Sequence, residues 1–342
     1  ISKEAQKQGK SSPKEKETKG EGLRIREILA AQRPCDETRQ PKEEMVSDES
    51  QEVYDKLFEF VKVVMEAARG KKEFSLEDGF RLVSKVIEDH IIDSLYIKTL
   101  AYREHEDVLA SHSVNVFVYA IKLGLGLKYT RHQLIELGLA SLVHDIGMTS
   151  IPEEIIKKAN PLDKKEFNII KTHPLEGYGI ISSLGKEYNW LAEVILQEHE
   201  REQGQGYPKG IKGDEIHEYA KIIGIADVYE TLTHPRPHRN GCLPYEAMKE
   251  MMGSQRVLFS PKILKTLLSQ LTMYPPCSYV KLNSNVIGRV IQVHSDRPFR
   301  PTIEVWYDSQ GRPLEKRQII NLSEEPFLHI TECLHEEDLL LE

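Results

Sequence analysis

The sequence places imidazole and carboxylate side chains at several positions whose surroundings have an apolar, helical pattern. Neutral imidazole and carboxylate groups are ligands for divalent first-row metals. Helices of a bundle can project such groups into one interior site, as they do in dimetal proteins. We therefore predict a metal site built from the side chains of His112, His144, Asp145, His173, His199 and Asp227.

The adjacent pair His144 and Asp145 lies in the segment LVHDIG, at the end of an apolar helical run. Gly147 follows at the place of a C-cap, so we expect the helix to end there. A single His-Asp pair is typical of a surface contact or of an Asp that caps a helix. The other imidazoles and carboxylates of the chain favour a metal site instead.

A charged, glycine-rich segment, HEREQGQGYPKG, runs from His199 to Gly210. Its three glycines permit positive φ angles and Pro208 fixes one φ angle, so the segment predicts a shaped loop. Its polar residues suit metal ligands, acid/base groups or a solvated turn. The loop by itself does not distinguish these roles.

Several helices must position these groups, and the apolar residues recur at three- and four-residue steps from Glu52 onward. We predict an N-terminal helical region at 48–100 and a helical bundle at 101–274. After Pro275 the pattern changes to the short β-type runs SYVKL, NVIGRVIQV, PTIEVWY and RQIINL, which predict a small β-domain at 275–342. The expected fold is mainly α.

Residues 1–47 contain few large apolar side chains and predict a disordered linker. A short docking helix at 23–32, LRIREILAAQ, is the less favoured alternative there. Because the sequence starts at Ile1 and not at Met, we expect an upstream part such as a sensor or receiver domain.

The formal net charge of −8 argues against binding to duplex nucleic acid. Four cysteines without a CxxC pair are typical of reduced thiols and not of a disulfide framework or zinc knuckle. No uninterrupted apolar run approaches the roughly 20 residues that span a bilayer. The sequence therefore predicts a cytoplasmic protein without a membrane span.

The histidine and aspartate motifs appear in a fixed order: SHSVNV with His112, HDIG with His144 and Asp145, and IADVYETLT with Asp227. In this order the sequence resembles the HD superfamily of metal-dependent phosphohydrolases. The loop ending in GYPKG, together with ADVYETLTHPRPHR, resembles the HD-GYP subfamily, which hydrolyses the bacterial second messenger cyclic di-GMP. The resemblance covers roughly residues 100–272 and implies an HD-type helical bundle.

The resemblance also implies the role of each site residue. His112, His144, Asp145 and Asp227 match ligands of a first metal ion, and Asp145 bridges to a second ion. His173 and His199 match ligands of that second ion. Two divalent ions, iron or manganese with nickel or zinc as alternatives, are thus implied. His144 and Asp145 become the catalytic pair, and a metal-bridging hydroxide attacks phosphorus.

Three positions depart from the family pattern. Glu198 stands where many relatives have a histidine, and it is either a further ligand or a solvated glutamate. Met148 replaces a lysine that can meet a substrate phosphate. Val108 replaces a glutamate that holds a third metal in some members, which favours two ions over three. Nearby, Asp107 is either a support for a ligand histidine or a helix cap.

Substrate contacts are implied for Arg236 and Arg239, whose guanidinium groups suit bidentate phosphate binding, with an exposed helix end as the alternative. Tyr207 in the GYP loop would shape the rim of the site or offer a surface to a signalling protein. His234 and His238 are not included among the ligands. The resemblance leaves a homodimer open.

The expected function is hydrolysis of cyclic di-GMP to the linear dinucleotide pGpG and onward to GMP. Met148 and Glu198 motivate a second hypothesis, in which an inactive member senses cyclic di-GMP or recruits a signalling partner. A third hypothesis is a phosphohydrolase for another cyclic dinucleotide. GxSxG, P-loop and GxGxxG motifs are absent from the sequence, which excludes those enzyme classes.

Overall fold

The computed structural model of the protein describes residues 48–101, 107–158, 160–235, 241–294, 297 and 299–334. The predicted linker at 1–47, with the alternative docking helix at 23–32, lies outside these residues. Arg236, His238 and Arg239 also lie outside them, so the structure gives no position for the predicted phosphate contacts.

Three helices precede the bundle: α1 (Asp48–Arg69), α2 (Glu77–Glu88) and α3 (Ile92–Ala101). The helices that follow are α4 (Val108–Gly126), α5 (Arg131–Val143), α6 (Glu153–Ile156), α7 (Lys164–Ile170), α8 (His173–Ser182), α9 (Asn189–Gln197), α10 (Glu218–Thr233), α11 (Pro244–Met252) and α12 (Pro261–Gln270). Short 3₁₀ helices span Ile146–Ser150, Lys186–Tyr188, Gly213–Glu215 and Arg256–Leu258.

Helix α4 is the central helix of the bundle and packs against α1, α3, α5, α10 and α12. It is long and apolar enough to cross a membrane, but 78% of its most apolar 18-residue window is buried inside the protein. A core helix has the same composition. His112, Asn115 and Lys122 interrupt its apolar residues, which is why the sequence shows no continuous apolar run there.

A side-chain cap fixes where α4 begins. Oδ1 of Asp107 accepts hydrogen bonds from the backbone nitrogens of Leu109 and Ala110, both at 3.1 Å, at the start of α4. Of its two expected roles, Asp107 therefore performs that of the helix cap, which is typically worth about 1 kcal/mol. It sets the register of the helix that carries His112.

Gly147 does not cap a helix, and that prediction is wrong. Helix α5 ends at Val143, and Gly147 lies inside the 3₁₀ helix Ile146–Ser150. A Cβ atom at position 147 would lie 1.9 Å from the carbonyl oxygen of His173 and 2.6 Å from the backbone nitrogen of Gly177. Glycine is needed because the HD segment crosses the start of α8 at backbone contact.

The C-terminal part is a five-stranded antiparallel sheet with the order β4-β3-β2-β1-β5. Its strands are β1 (Tyr279–Leu282), β2 (Ile287–Gln292), β3 (Thr302–Tyr307), β4 (Pro313–Asn321) and β5 (Ile330–Leu334). The first four follow the β-type runs of the sequence. Strand β5, which pairs with β1 through Val280 and Cys333, was not predicted, since its short segment has no clear alternation.

One continuous hydrophobic core runs from Val53 in α1 to Leu322 at the end of β4. The N-terminal helices therefore share their core with the bundle, and the sheet packs on the same core. The expected fold class, a mainly α bundle with N-terminal helices and a small β-domain, is confirmed.

Candidate metal centre

Separate helices bring the six predicted ligands together, and Glu198 lies in the same cluster. His112 lies in α4, His144 and Asp145 follow α5, His173 begins α8, and Asp227 lies in α10. Glu198 and His199 directly follow α9. All are buried except His199 and Asp227, which are half-buried. The ligand atoms form two adjoining groups.

The first group consists of His112, His144 and Asp227, whose ligand atoms lie within 4.8 Å of one another. Nε2 of His112 lies 3.3 Å from Oδ1 of Asp227. Two imidazole nitrogens and a carboxylate oxygen at this spacing make a donor set suited to a divalent first-row metal.

The second group consists of Asp145, His173, Glu198 and His199, again with ligand atoms within 4.8 Å of one another. The Nε2 atoms of His173 and His199 are 3.1 Å apart. Oε1 of Glu198 lies 3.2 Å from Nε2 of His173 and 3.9 Å from Nε2 of His199. This group combines two imidazoles with two carboxylates.

Asp145 lies between the two groups and faces each with a different oxygen. Its Oδ2 atom lies 3.6 Å from Nε2 of His112 and 3.7 Å from Nε2 of His144. Its Oδ1 atom lies 3.3 Å from Nε2 of His173. This is the arrangement that a carboxylate bridging two cations needs.

Glu198 is buried, with only 1% of its surface exposed, so the alternative of a solvated glutamate is wrong. The reason is visible in α9, where Leu191, Val194 and Ile195 form an apolar stripe that continues into position 198 at helical spacing. The helical spacing therefore indicates a buried position at 198, although a glutamate is usually exposed.

Two buried atoms of the cluster have no hydrogen-bond partner: Nε2 of His144 and Oε2 of Glu198. These atoms lie 3.9 Å apart. An unpaired buried polar atom costs roughly 1–3 kcal/mol, so each of these two atoms indicates a bound ligand or ion. The residues present thus fit a divalent cation.

The pKa values of the cluster's side chains are shifted in different directions. Burial raises the pKa of Glu198 above its ordinary value. Burial alone would also raise the pKa of Asp145, but the charges of His144, His173 and His112 outweigh it and hold that pKa below its ordinary value. Burial and the neighbouring His173 lower the pKa of His199 to about 3.

A second layer of hydrogen bonds orients the histidines. Nδ1 of His144 donates to the carbonyl oxygen of Ser141, and Nδ1 of His173 donates to that of Ile170, both at 2.8 Å. With Nδ1 engaged in this way, Nε2 of each ring faces the cluster. Such partners fix the tautomer that binds a metal.

Glu230 is the corresponding partner of His112, and sequence reasoning missed it. Its Oε2 atom lies 2.5 Å from Nδ1 of His112. The two residues are 118 positions apart, so no local pattern reveals the contact. The sequence indicates only that Glu230, three residues after Asp227, lies on the same side of α10.

The GYP loop closes over His199. The ring of Tyr207 stacks on the ring of His199, with centroids 4.7 Å apart. The buried carboxylate of Glu200 accepts from the backbone nitrogens of Lys209 at 2.7 Å and Gly210 at 3.0 Å. The loop is thereby held at the edge of the cluster, with Glu200 as its internal support.

His234, Met148 and Val108 are not members of the two ligand groups. His234 is a buried histidine whose Nε2 donates to the carbonyl oxygen of Thr99 at 3.0 Å, away from the ligand groups. Met148 is half-buried in the 3₁₀ helix beside Asp145. Val108, which stands at the position of the third-metal glutamate that the resemblance implies in some family members, starts α4 and is 39% exposed.

The chain is similar to known proteins over much of its length. Residues 97–263 match the HD domain family, and residues 279–341 match the KOW domain associated with HD domain. A cyclic di-GMP phosphodiesterase of Pseudomonas aeruginosa is 29% identical over 211 residues, which are 62% of this chain and 51% of that protein. A 3'3'-cGAMP-specific phosphodiesterase of Vibrio cholerae is 36% identical over 133 residues, 39% of this chain and 30% of that protein.

The solved structure of Bd1817, an HD-GYP protein from Bdellovibrio bacteriovorus, has a similar fold. The TM-score is 0.53 at 17% identity, over 72% of this chain and 76% of that chain. This chain spans about half the length of the Pseudomonas relative. Residues 97–263 therefore form an HD domain, and the predicted resemblance to HD-GYP proteins is confirmed.

Proposed function

We propose that this protein is a metal-dependent phosphodiesterase that hydrolyses cyclic di-GMP to pGpG and onward to GMP. The observation that carries the proposal is the position of Asp145, which faces one ligand group with each of its oxygens. The names of the relatives from Pseudomonas aeruginosa and Thermotoga maritima, both cyclic di-GMP phosphodiesterases, support the substrate.

Two divalent ions, iron or manganese, would be held by these groups, with nickel and zinc as alternatives. His112, His144, Asp145 and Asp227 would hold the first ion. The second would be held by Asp145, His173, Glu198 and His199. When bound, such a pair of ions lowers the pKa of a coordinated water towards about 7 and polarises a phosphoryl oxygen.

The protein side chains supply position and charge balance. Three carboxylates, Asp145, Asp227 and Glu198, line the cluster. Two divalent cations would offset these negative charges, and each cation would attract an oxygen of a phosphodiester. Tyr207 would form the wall of the site next to His199, and Arg236 and Arg239 would bind the two phosphates through their guanidinium groups.

The test is turnover by the full chain. Protein loaded anaerobically with iron or manganese should convert cyclic di-GMP to pGpG, and chelation should abolish the reaction. Background activity from a protein that holds two ions per chain would reject the enzymatic proposal. A matched Asp145→Asn variant serves as the inactive control, because it removes the charge at the bridging position while keeping the shape.

A sensor is the second candidate function, and Met148 favours it, since methionine cannot give the phosphate the ammonium contact that lysine gives. In that case metal-loaded protein would bind cyclic di-GMP, and the ligand would be recovered intact after hours. Calorimetry followed by chromatography of the ligand separates the sensor from the enzyme.

A different cyclic dinucleotide is the third candidate. The relatives from Vibrio cholerae that are named as 3'3'-cGAMP-specific phosphodiesterases favour it. A substrate panel with cyclic di-GMP and 3'3'-cGAMP at equal concentration decides the matter through the ratio of kcat/KM values.

A further inference from the structure

A series of buried hydrogen bonds leads from His112 to helix α1. Helix α1 precedes residues 97–263, which match the HD domain. The other members of the series are Tyr54 in α1, Asn115 in α4 and Glu230 in α10. All four side chains are buried, none with more than 3% of its surface exposed. The metal-binding histidine is thus connected to an N-terminal helix without water between them.

Each hydrogen bond of this series has a defined donor and acceptor. The hydroxyl of Tyr54 donates to Oδ1 of Asn115 at 3.0 Å, and Nδ2 of Asn115 donates to Oε1 of Glu230 at 3.2 Å. The other oxygen of Glu230 accepts from Nδ1 of His112 at 2.5 Å. Because an ionised carboxylate only accepts, Asn115 must face it with its amide nitrogen, and Nδ1 of His112 must carry a proton.

The direction matters for metal binding. With the proton on Nδ1, the lone pair of His112 is on Nε2, the atom that faces Asp227 at 3.3 Å and Asp145 at 3.6 Å. Glu230 therefore selects the metal-binding tautomer, and Asn115 holds one of its oxygens. Tyr54 in turn keeps the amide oxygen of Asn115 turned away from the carboxylate.

Tyr54 is itself held firmly in place. The ammonium of Lys98 in α3 lies 4.6 Å from the centroid of its ring, and Lys98 is fully buried. The same ammonium donates to the side-chain oxygen of Gln51, one turn earlier in α1. Helices α1 and α3 thus hold the ring, whose hydroxyl donates to Asn115.

We propose that Tyr54 is a positioning residue of the metal centre and that α1 sets the affinity of the His112 group for its ion. The inference rests on the proposed metal centre and extends it beyond the HD domain. A movement of α1 that separates Tyr54 from Asn115 would free the amide to turn, weaken the hold on Glu230 and release His112 from one tautomer.

The test uses the full chain with Tyr54→Phe, which keeps the buried ring and removes the hydroxyl. Manganese titration of metal-free protein by calorimetry should show one of two ions bound roughly 2- to 10-fold more weakly, the effect of one net hydrogen bond. The other ion should bind as in the wild type. Glu230→Gln, at a residue that contacts His112 directly, should weaken manganese binding roughly 10- to 100-fold.

Tyr96→Phe is the matched control. Tyr96 is also a buried tyrosine, and its hydroxyl accepts from the backbone nitrogen of Thr272 at 3.2 Å. It is not one of the residues that link Tyr54 to His112. It should leave manganese affinity unchanged. Equal affinities of wild type and Tyr54→Phe, or an equal loss in Tyr96→Phe, would overturn the proposal.

A second measurement does not depend on metal. In metal-free protein, ¹⁵N chemical shifts should report the Nδ1-protonated tautomer of His112 in the wild type and a mixture of tautomers in Tyr54→Phe. The same tautomer in both proteins would refute the role of Tyr54. Failure of the wild type to bind manganese would instead reject the proposed function, so the two failures are distinguishable.

Discussion

Oε1 of Glu198 lies 3.2 Å from Nε2 of His173, and both side chains are buried beside Asp145. The family resemblance implies a histidine at position 198, and the glutamate found there reaches the imidazoles of His173 and His199. Its second oxygen lies 3.9 Å from Nε2 of His144 in the other ligand group. A carboxylate here is therefore compatible with a metal centre and adds a negative charge to it.

Glu198→Gln should weaken the binding of the second ion by tenfold or more, because the amide keeps the shape but removes a charged ligand. The ion held by His112, His144 and Asp227 should remain. Metal content by elemental analysis after limited chelation measures this. Glu193→Gln in the preceding helix α9, whose side chain is 43% exposed, is the control. Unchanged affinity in Glu198→Gln would show that this carboxylate is no ligand.

Asp145→Ala should lose both ions together with activity, since Asp145 faces the two groups with different oxygens, at 3.6–3.7 Å from the first and 3.3 Å from the second. Elemental analysis of the purified variant is the measurement. Near-ultraviolet circular dichroism checks that the fold is kept. A variant with two ions per chain would contradict the bridging assignment.

Gly147→Ala should destabilise the protein strongly, because its Cβ would overlap the backbone at the start of α8. We expect a loss of about 3 kcal/mol in the free energy of unfolding, together with displacement of His173. Gly179→Ala in the same helix is the matched control, since a Cβ there meets no atom within 4 Å. It should stabilise the helix by up to about 1 kcal/mol. Chemical denaturation compares the two, and equal stabilities would refute the contact.

Metal binding should release a proton at neutral pH. Burial would lower the pKa of His173, but its hydrogen bond with Glu198 and the charges of Asp145 and Glu198 raise it to about 9. The metal-free imidazole is thus protonated at pH 7.5, and an ion must displace that proton. Affinity should rise by up to about tenfold per pH unit and level off above pH 9. Calorimetry in buffers of different ionisation enthalpy counts the protons; zero release at pH 7.5 would contradict this.

The sequence predicted the members of the cluster because each lies in a recognisable local motif. His144 and Asp145 come from one dipeptide, and His112, His173, His199 and Asp227 each follow or interrupt an apolar helical pattern. The structure brings all of them together. Four of the five strands also followed from turn residues and β-type runs, whereas β5 is defined mainly by its pairing with β1.

Contacts between distant helices were not predictable in this way. Glu230 and Asn115 are 115 residues apart, and Tyr54 lies 61 residues before Asn115. Nothing in the local sequence distinguishes these residues from other polar core positions. Gly147 was misjudged for a related reason, because the backbone it avoids belongs to a different helix.

The most direct test is stepwise addition of manganese to metal-free protein while cyclic di-GMP hydrolysis is followed. Activity should stay near background up to one ion per chain and rise as the second ion binds, because the reaction needs both groups that Asp145 joins. Full occupancy by two ions with cyclic di-GMP left intact would contradict the central claim.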